Sequence, residues 1–201
     1  AGARQIDGEL GVLQHLCRVA AVVLFGIRCH GRQRMPSAGA VLVCANHQSY
    51  FDPVLVGVTF NRRLNYLARR TLFRFGPFGW LMSVLGAIPL EREGMRMAGL
   101  KESLRRLKQG ESVLVFPEGT RTSDGRVSHL KPGFCVLARR SQATLLPVGI
   151  DGAYDAWPRT VWLPRLSAIR ICVGQPIGPE WVRQVDDQQL VAELERRIRG
   201  C

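Results

Sequence analysis

His47 and Asp52 are the two side chains of this sequence best suited to moving a proton, and both lie in one polar segment, NHQSYFDP, from Asn46 to Pro53. Five positions apart, they would diverge on a regular helix, so only a turn can bring imidazole and carboxylate together. If they meet, Asp52 keeps one ring nitrogen protonated and leaves the other free as a general base. The plainer alternative is that Asp52, directly before Pro53, caps a helix while His47 sits on the surface. A second polar cluster, FPEGTR from Phe116 to Arg121, suits an anion. Gly119 lets backbone N–H groups approach a ligand, Thr120 offers a hydroxyl and Arg121 a planar fork that fits a phosphate. Arg92 offers a second cation. The ordinary alternative is surface pairing of Arg121 with Glu118, and of Arg92 with Glu91 or Glu93.

Both clusters leave apolar runs that read as buried strands, Ala40 to Ala45 and Ser112 to Phe116. Pro53 to Phe60 should be helical, with Pro53 in its first turn. Further strands are expected at Leu64 to Ala68, Gly86 to Leu90, Thr144 to Ile150 and Ser167 to Val173. Met97, Leu100, Leu104 and Leu107 recur at helical spacing and stop at Gly110. Phe134 to Arg140 should be helical, and a last helix should run from Asp187 to Arg199, capped by Asp186 or Asp187. Strands alternating with helices imply an α/β fold, a mixed β-sheet flanked by helices. In such sheets reactive groups gather at strand ends.

The 201 residues suit one compact α/β domain, expected over 35–201. Ahead of it, residues 1–34 contain LGVLQHLCRVAAVVLFGI, from Leu10 to Ile27. This run is too short and too polar for a bilayer span, and it lacks the frame of a signal peptide. It is expected to be a membrane-associated amphipathic helix in one leaflet, with Arg28, Arg32 and Arg34 at the headgroups. A helix packed on the soluble core is the alternative. Leu72 to Leu85, rich in Phe and Trp around two glycines and a proline, would touch lipid, line an acyl channel or simply be buried.

The net charge of +12 points to an anionic partner, and it is uneven: through Leu90, ten arginines face only Asp7, Glu9 and Asp52. Nucleic acid is disfavoured, because the aromatics cluster with Gly and Leu instead of interleaving with basic residues. Six cysteines show no CxxC pairing, which favours reduced thiols and a cytosolic face. No GxSxG elbow is present, and Ser49 lies too near His47 in sequence to favour covalent catalysis.

Taken together, HxxxxD (His47 and Asp52), Arg92 after GAIPLE, FPEGTR, and LPV (Leu146 to Val148) resemble the four ordered motifs of the glycerolipid acyltransferase family. The resemblance implies transfer of an acyl chain from an acyl thioester, acyl-CoA or acyl carrier protein, to a lysophospholipid hydroxyl. The acceptor it implies first is 1-acyl-sn-glycerol-3-phosphate, giving phosphatidic acid. It assigns the base to His47 and its orientation to Asp52. Acceptor phosphate binding falls to Arg92, Glu118, Gly119, Thr120 and Arg121, and the acyl-donor side to Pro147. It further implies no metal, no cofactor beyond the thioester co-substrate, and residence on the cytoplasmic face of the inner or plasma membrane. Family members often carry a lysine where this chain has Arg69, Arg70 and Thr71, which leaves acceptor details open. Acylation or transacylation of another lyso-lipid, or membrane binding without catalysis, are the competing expectations.

Overall fold

The run VLVCA, Val41–Ala45, is apolar at every position and fully shielded from water, as a strand covered on both faces must be. In the computed structural model it is the middle of a seven-stranded sheet. The structure describes residues 26–69, 87–90, 95–161 and 163–201, together with Val19. In chain order the strands are β1 (Arg28–His30), β2 (Val41–Ala45), β3 (Leu64–Arg69), β4 (Ala87–Leu90), β5 (Ser112–Val115), β6 (Thr144–Asp151) and β7 (Arg170–Val173). They are arranged β1-β7-β6-β2-β5-β3-β4. β2 to β6 run parallel; β7 is antiparallel to β6, and β1 follows the direction of β7.

The helices are α1 (Asp52–Thr59), α2 (Met95–Lys108), α3 (Gly133–Ser141), α4 (Ala153–Ala156), α5 (Pro179–Gln184) and α6 (Asp187–Arg199). Alternate strand residues face opposite sides. Val41, Val43 and Ala45 meet Leu55 and Val56 of α1 and Ala153 and Ala156 of α4. Leu42 and Cys44 face the other way, toward Leu107 of α2, Leu137 of α3 and Leu190, Leu194 and Ile198 of α6. The four-residue spacing of those last three gives α6 one apolar stripe. Its start is fixed by Asp186, whose carboxylate accepts the Gln189 N–H at 2.8 Å while the Gln189 side chain accepts the Asp186 N–H at 3.2 Å.

The expected mixed sheet flanked by helices is present, and the named strands and helices fall within a few residues of their expected bounds. Met97 is an exception: it is 72% exposed, so the buried stripe of α2 begins after it. β1 and the short 3-10 turn Arg32–Arg34 had no apolar pattern to announce them; every residue of β1 is exposed. They dock on the sheet, with the Arg34 guanidinium donating to the Val173 carbonyl at 2.7 Å, so Arg34 is engaged by protein instead of facing headgroups. The expected N-terminal helix before residue 26, the aromatic stretch 72–85 and the segment 70–71 lie outside the described residues. Among the described residues, no helix is long and apolar enough to cross a membrane.

Candidate active site

β2, β5 and β6 are adjacent and parallel, so the turns that leave their C-terminal ends emerge side by side. Asn46 begins the first turn and locks it to β6: its amide donates to the Ile150 carbonyl at 2.8 Å and accepts the Ile150 N–H at 2.7 Å. The chain then curls back on Asp52. The Asp52 Oδ2 oxygen lies 2.7 Å from His47 Nδ1 and accepts the N–H groups of Gln48 at 2.5 Å and Ser49 at 2.7 Å. Asp52 is therefore no ordinary N-cap. It is the first residue of α1, and its carboxylate reaches backward into the preceding turn, where an N-cap would reach forward.

Asp52 is completely buried, whereas 20% of the His47 side chain remains accessible. Burial pushes the Asp52 carboxyl above its usual range, opposed by the His47 hydrogen bond and charge and by the two backbone donors. The Gln48 and Ser49 N–H groups on Oδ2 favour the ionised carboxylate, while Oδ1 is buried without a hydrogen-bond partner among the described residues. With Nδ1 held by Asp52, the Nε2 nitrogen is the one left for chemistry. The imidazole also stacks on Phe116, with ring centroids 4.0 Å apart and planes 16° from parallel, which fixes its tilt.

The second turn closes against the first. Glu118 is 3% exposed and accepts the His47 N–H at 2.7 Å through one oxygen and the Ser128 N–H at 3.1 Å through the other. The Thr122 N–H donates to the His47 carbonyl at 2.8 Å. His47 is thus gripped at both ends of its own backbone by the FPEGTR turn and its continuation. Burial raises the Glu118 carboxyl, and the His47 and Ser128 donors pull against it. No Glu118–Arg121 pair forms among the described residues; Glu118 braces the turn.

Gly119 has φ +75°, a left-handed conformation that favours glycine, and the Lys131 side chain lies against it. Gly119 and Thr120 are exposed. The Arg121 guanidinium carbon sits 3.5 Å from the centre of the Tyr50 ring, and Nη1 is buried without a hydrogen-bond partner among the described residues. A cation so placed is pre-oriented on an aromatic face and retains an unused donor.

The structure brings together His47, Asp52, Glu118, Gly119, Thr120 and Arg121. Pro147 is not at the turn: it is buried inside β6 opposite Cys44, and its carbonyl accepts the Gly174 N–H at 2.8 Å. Arg92 lies outside the described residues. Sequence reasoning passed over Tyr50, Phe116 and Asn46. Their positions inside or next to the two motifs were the available signal, but only the folded turn shows that they set the tilt of an imidazole, the seat of a guanidinium and the join to β6.

Comparison with known proteins finds relatives over most of this chain. The chain is 29% identical over 198 residues to the 1-acyl-sn-glycerol-3-phosphate acyltransferase of Pseudomonas aeruginosa, covering 94% of this chain and 74% of that one. It is 26% identical over 153 residues to the Bacillus subtilis protein of the same name, covering 76% and 74%. A chloroplastic 1-acyl-sn-glycerol-3-phosphate acyltransferase of Arabidopsis thaliana is 29% identical over 157 residues, which is 76% of this chain but only 44% of that relative. The crystal structure of the 1-acyl-sn-glycerophosphate acyltransferase PlsC from Thermotoga maritima superimposes with a TM-score of 0.86 at 25% identity, covering 100% of this chain and 81% of that one. The Acyltransferase family profile matches residues 26–151, a span that holds both turns, and the chain belongs to that family.

Proposed function

We propose that this protein transfers a fatty acyl group from an acyl thioester, acyl-CoA or acyl carrier protein, to the free hydroxyl of a lysophospholipid. The first candidate acceptor is 1-acyl-sn-glycerol-3-phosphate, with phosphatidic acid as product. The observation that carries the reading is the convergence of the two turns: the His47 N–H is held by Glu118 while its ring is held by Asp52. An alcohol is a weak nucleophile at neutral pH and needs a base within hydrogen-bond reach. His47 Nε2 takes the hydroxyl proton as the oxygen attacks the thioester carbonyl. The C–O bond forms, the C–S bond breaks, and the proton passes to the departing thiolate or to water. A thiolate leaves readily, so no strong acid is called for and no acyl-enzyme forms. Asp52 holds the tautomer and offsets the positive charge that develops on the ring.

Gly119, Thr120 and Arg121 form the acceptor's phosphate cradle, with Arg92 a second cation, so that phosphate binding becomes orientation of the hydroxyl at His47. Glu118 acts by positioning. Pro147 serves the acyl-donor side only through the strand that carries it. The reading requires no metal or cofactor. The strongly basic surface and free thiols support residence on the cytoplasmic face of a membrane.

The test is product identification: purified protein is supplied with lysophosphatidate and labelled acyl-CoA or acyl carrier protein, beside other lysophospholipids. Labelled phosphatidate, absent with His47→Ala, is expected. Phosphatidate formation unchanged in that variant, or no acylation of any lysophospholipid, overturns the proposal.

A further inference from the structure

Beside the site lies an exposed surface that the chemistry above does not use. Past α4 the chain makes a closed loop: the Arg165 N–H donates to the Ala156 carbonyl at 2.7 Å, and the Trp157 indole N–H donates to the Val161 carbonyl at 3.2 Å. The base of this loop is fastened to the His47 turn. The Ser49 hydroxyl donates to the Trp157 carbonyl at 2.9 Å, and the Trp157 ring packs on Phe51 at 4.6 Å and Tyr50 at 5.3 Å.

The loop holds apolar groups out to water. Leu163 is 69% exposed and Leu166 is 79% exposed. A single exposed leucine is ordinary, but two within four residues, on a loop whose backbone is tied internally and at its base, form an apolar knob with nothing of this chain to cover it among the described residues. The charge around them is mainly positive, the nearby acids being Asp155 just before the loop and Asp151 in register with Arg170. Residues 156–179 contain no acid, whereas Arg159, Arg165 and Arg170 are all exposed and form no ion pair among the described residues. Leucines flanked by unpaired arginines match the layering of an anionic leaflet, with acyl chains beneath and phosphates above. A protein partner would have to supply the same two layers, and nothing else in the loop favours one.

The placement agrees. The loop follows β6 and α4, at the end of the sheet where His47 sits. The N-terminal part of the chain joins the sheet here too: the Arg28 N–H donates to the Ile169 carbonyl at 3.0 Å, and Arg28 is in register with Arg170. Arg28, Arg159, Arg165 and Arg170 thus give this end a basic rim.

We propose that the described residues of this loop, 157–161 and 163–166, form a lipid anchor, which seats Leu163 and Leu166 among the acyl chains of an anionic leaflet and sets Arg159 and Arg165 on its phosphates. Its purpose rests on the acyl-transfer reading, since it would open the His47 site onto the surface that holds a lysophospholipid; its geometry does not. Hydrogen exchange of the purified protein, with and without vesicles of phosphatidylglycerol and phosphatidylcholine, tests it locally. Amides in 158–168 should slow on the anionic vesicles and far less on pure phosphatidylcholine. Leu163→Ser combined with Leu166→Ser should weaken vesicle sedimentation roughly tenfold, while turnover of a short-chain lysophosphatidate in true solution stays at the wild-type level. Sedimentation with unchanged exchange at 158–168, unaltered vesicle affinity of the double variant, or no vesicle binding by the wild type each overturns the anchor. Protection of the loop in a protein that acylates no soluble acceptor would keep the anchor and sink the acyl-transfer reading, so the two fail separately.

Discussion

The carboxylates of the site and those of the outer helices are handled in opposite ways. Asp52 and Glu118 are buried, held mainly by backbone N–H groups, and pushed upward by the loss of water. Glu102 on α2 and Glu193 on α6 are partly solvated and paired with arginines one turn on. The first is pulled down to about 2 by Arg105 and then Arg106, the second to about 2 by Arg196 and then Arg197. The helix pairs cost the fold little and give it little. A buried carboxylate is a standing expense in stability unless its orientation is worth keeping, and here both orientations serve one histidine.

The contrast can be pressed at four points, the largest first. Glu118→Ala should lose about a thousandfold in turnover, within the range of an acid–base contribution, because the FPEGTR turn no longer holds His47. It should also lose about 2 kcal/mol of stability, since two N–H groups lose their acceptor; steady-state kinetics and thermal melting read both. Asp52→Asn should cut turnover about a hundredfold with a signature in pH. Burial raises the Asp52 carboxyl above its ordinary 3.8, so above that value the native state holds the proton more tightly than the unfolded chain and wild-type stability falls as pH rises. The variant lacks that fall, so its Tm relative to wild type should improve as pH rises above about 4. A constant difference would place Asp52 with the helix carboxylates.

Arg121→Gln should raise the KM for the phosphate-bearing acceptor about tenfold and leave the thioester KM alone. Equal effects on both substrates would remove Arg121 from the acceptor cradle. The smallest effect belongs to Glu193→Gln, worth about 0.5 kcal/mol with no change in turnover. Because the Glu193 carboxyl lies below its ordinary 4.5, the stability it contributes is present above that pH and is lost as pH falls through about 2. An activity loss there would dissolve the division between site and scaffold.

Much of this was legible in the chain. VLVCA and SVLV read as buried strands, and Asp187 to Arg199 read as the closing helix. HxxxxD and FPEGTR each left such a strand, so both turns were expected at strand ends. The sequence was silent where structure depends on pairing and not on pattern. β1, Arg-Cys-His, is a strand only because the β7 edge offers its hydrogen bonds, and α4 is four residues too short to show a period. The role of Glu118 was also hidden: a glutamate beside an arginine suggests an ion pair, and only the folded turn shows that it reaches the backbone of a residue in the other motif. Pro147 was read with the chemistry because it belongs to a motif, yet it lies within the sheet.

The central claim is that His47 and Asp52 act as one unit, with Asp52 working through the imidazole. Turnover of the wild type, His47→Ala, Asp52→Asn and the double variant, measured on one lysophospholipid and one thioester, tests it directly. The account predicts that the double variant is no slower than His47→Ala alone. Losses that multiply would show Asp52 acting on the reaction by a route that does not pass through His47, and would contradict it.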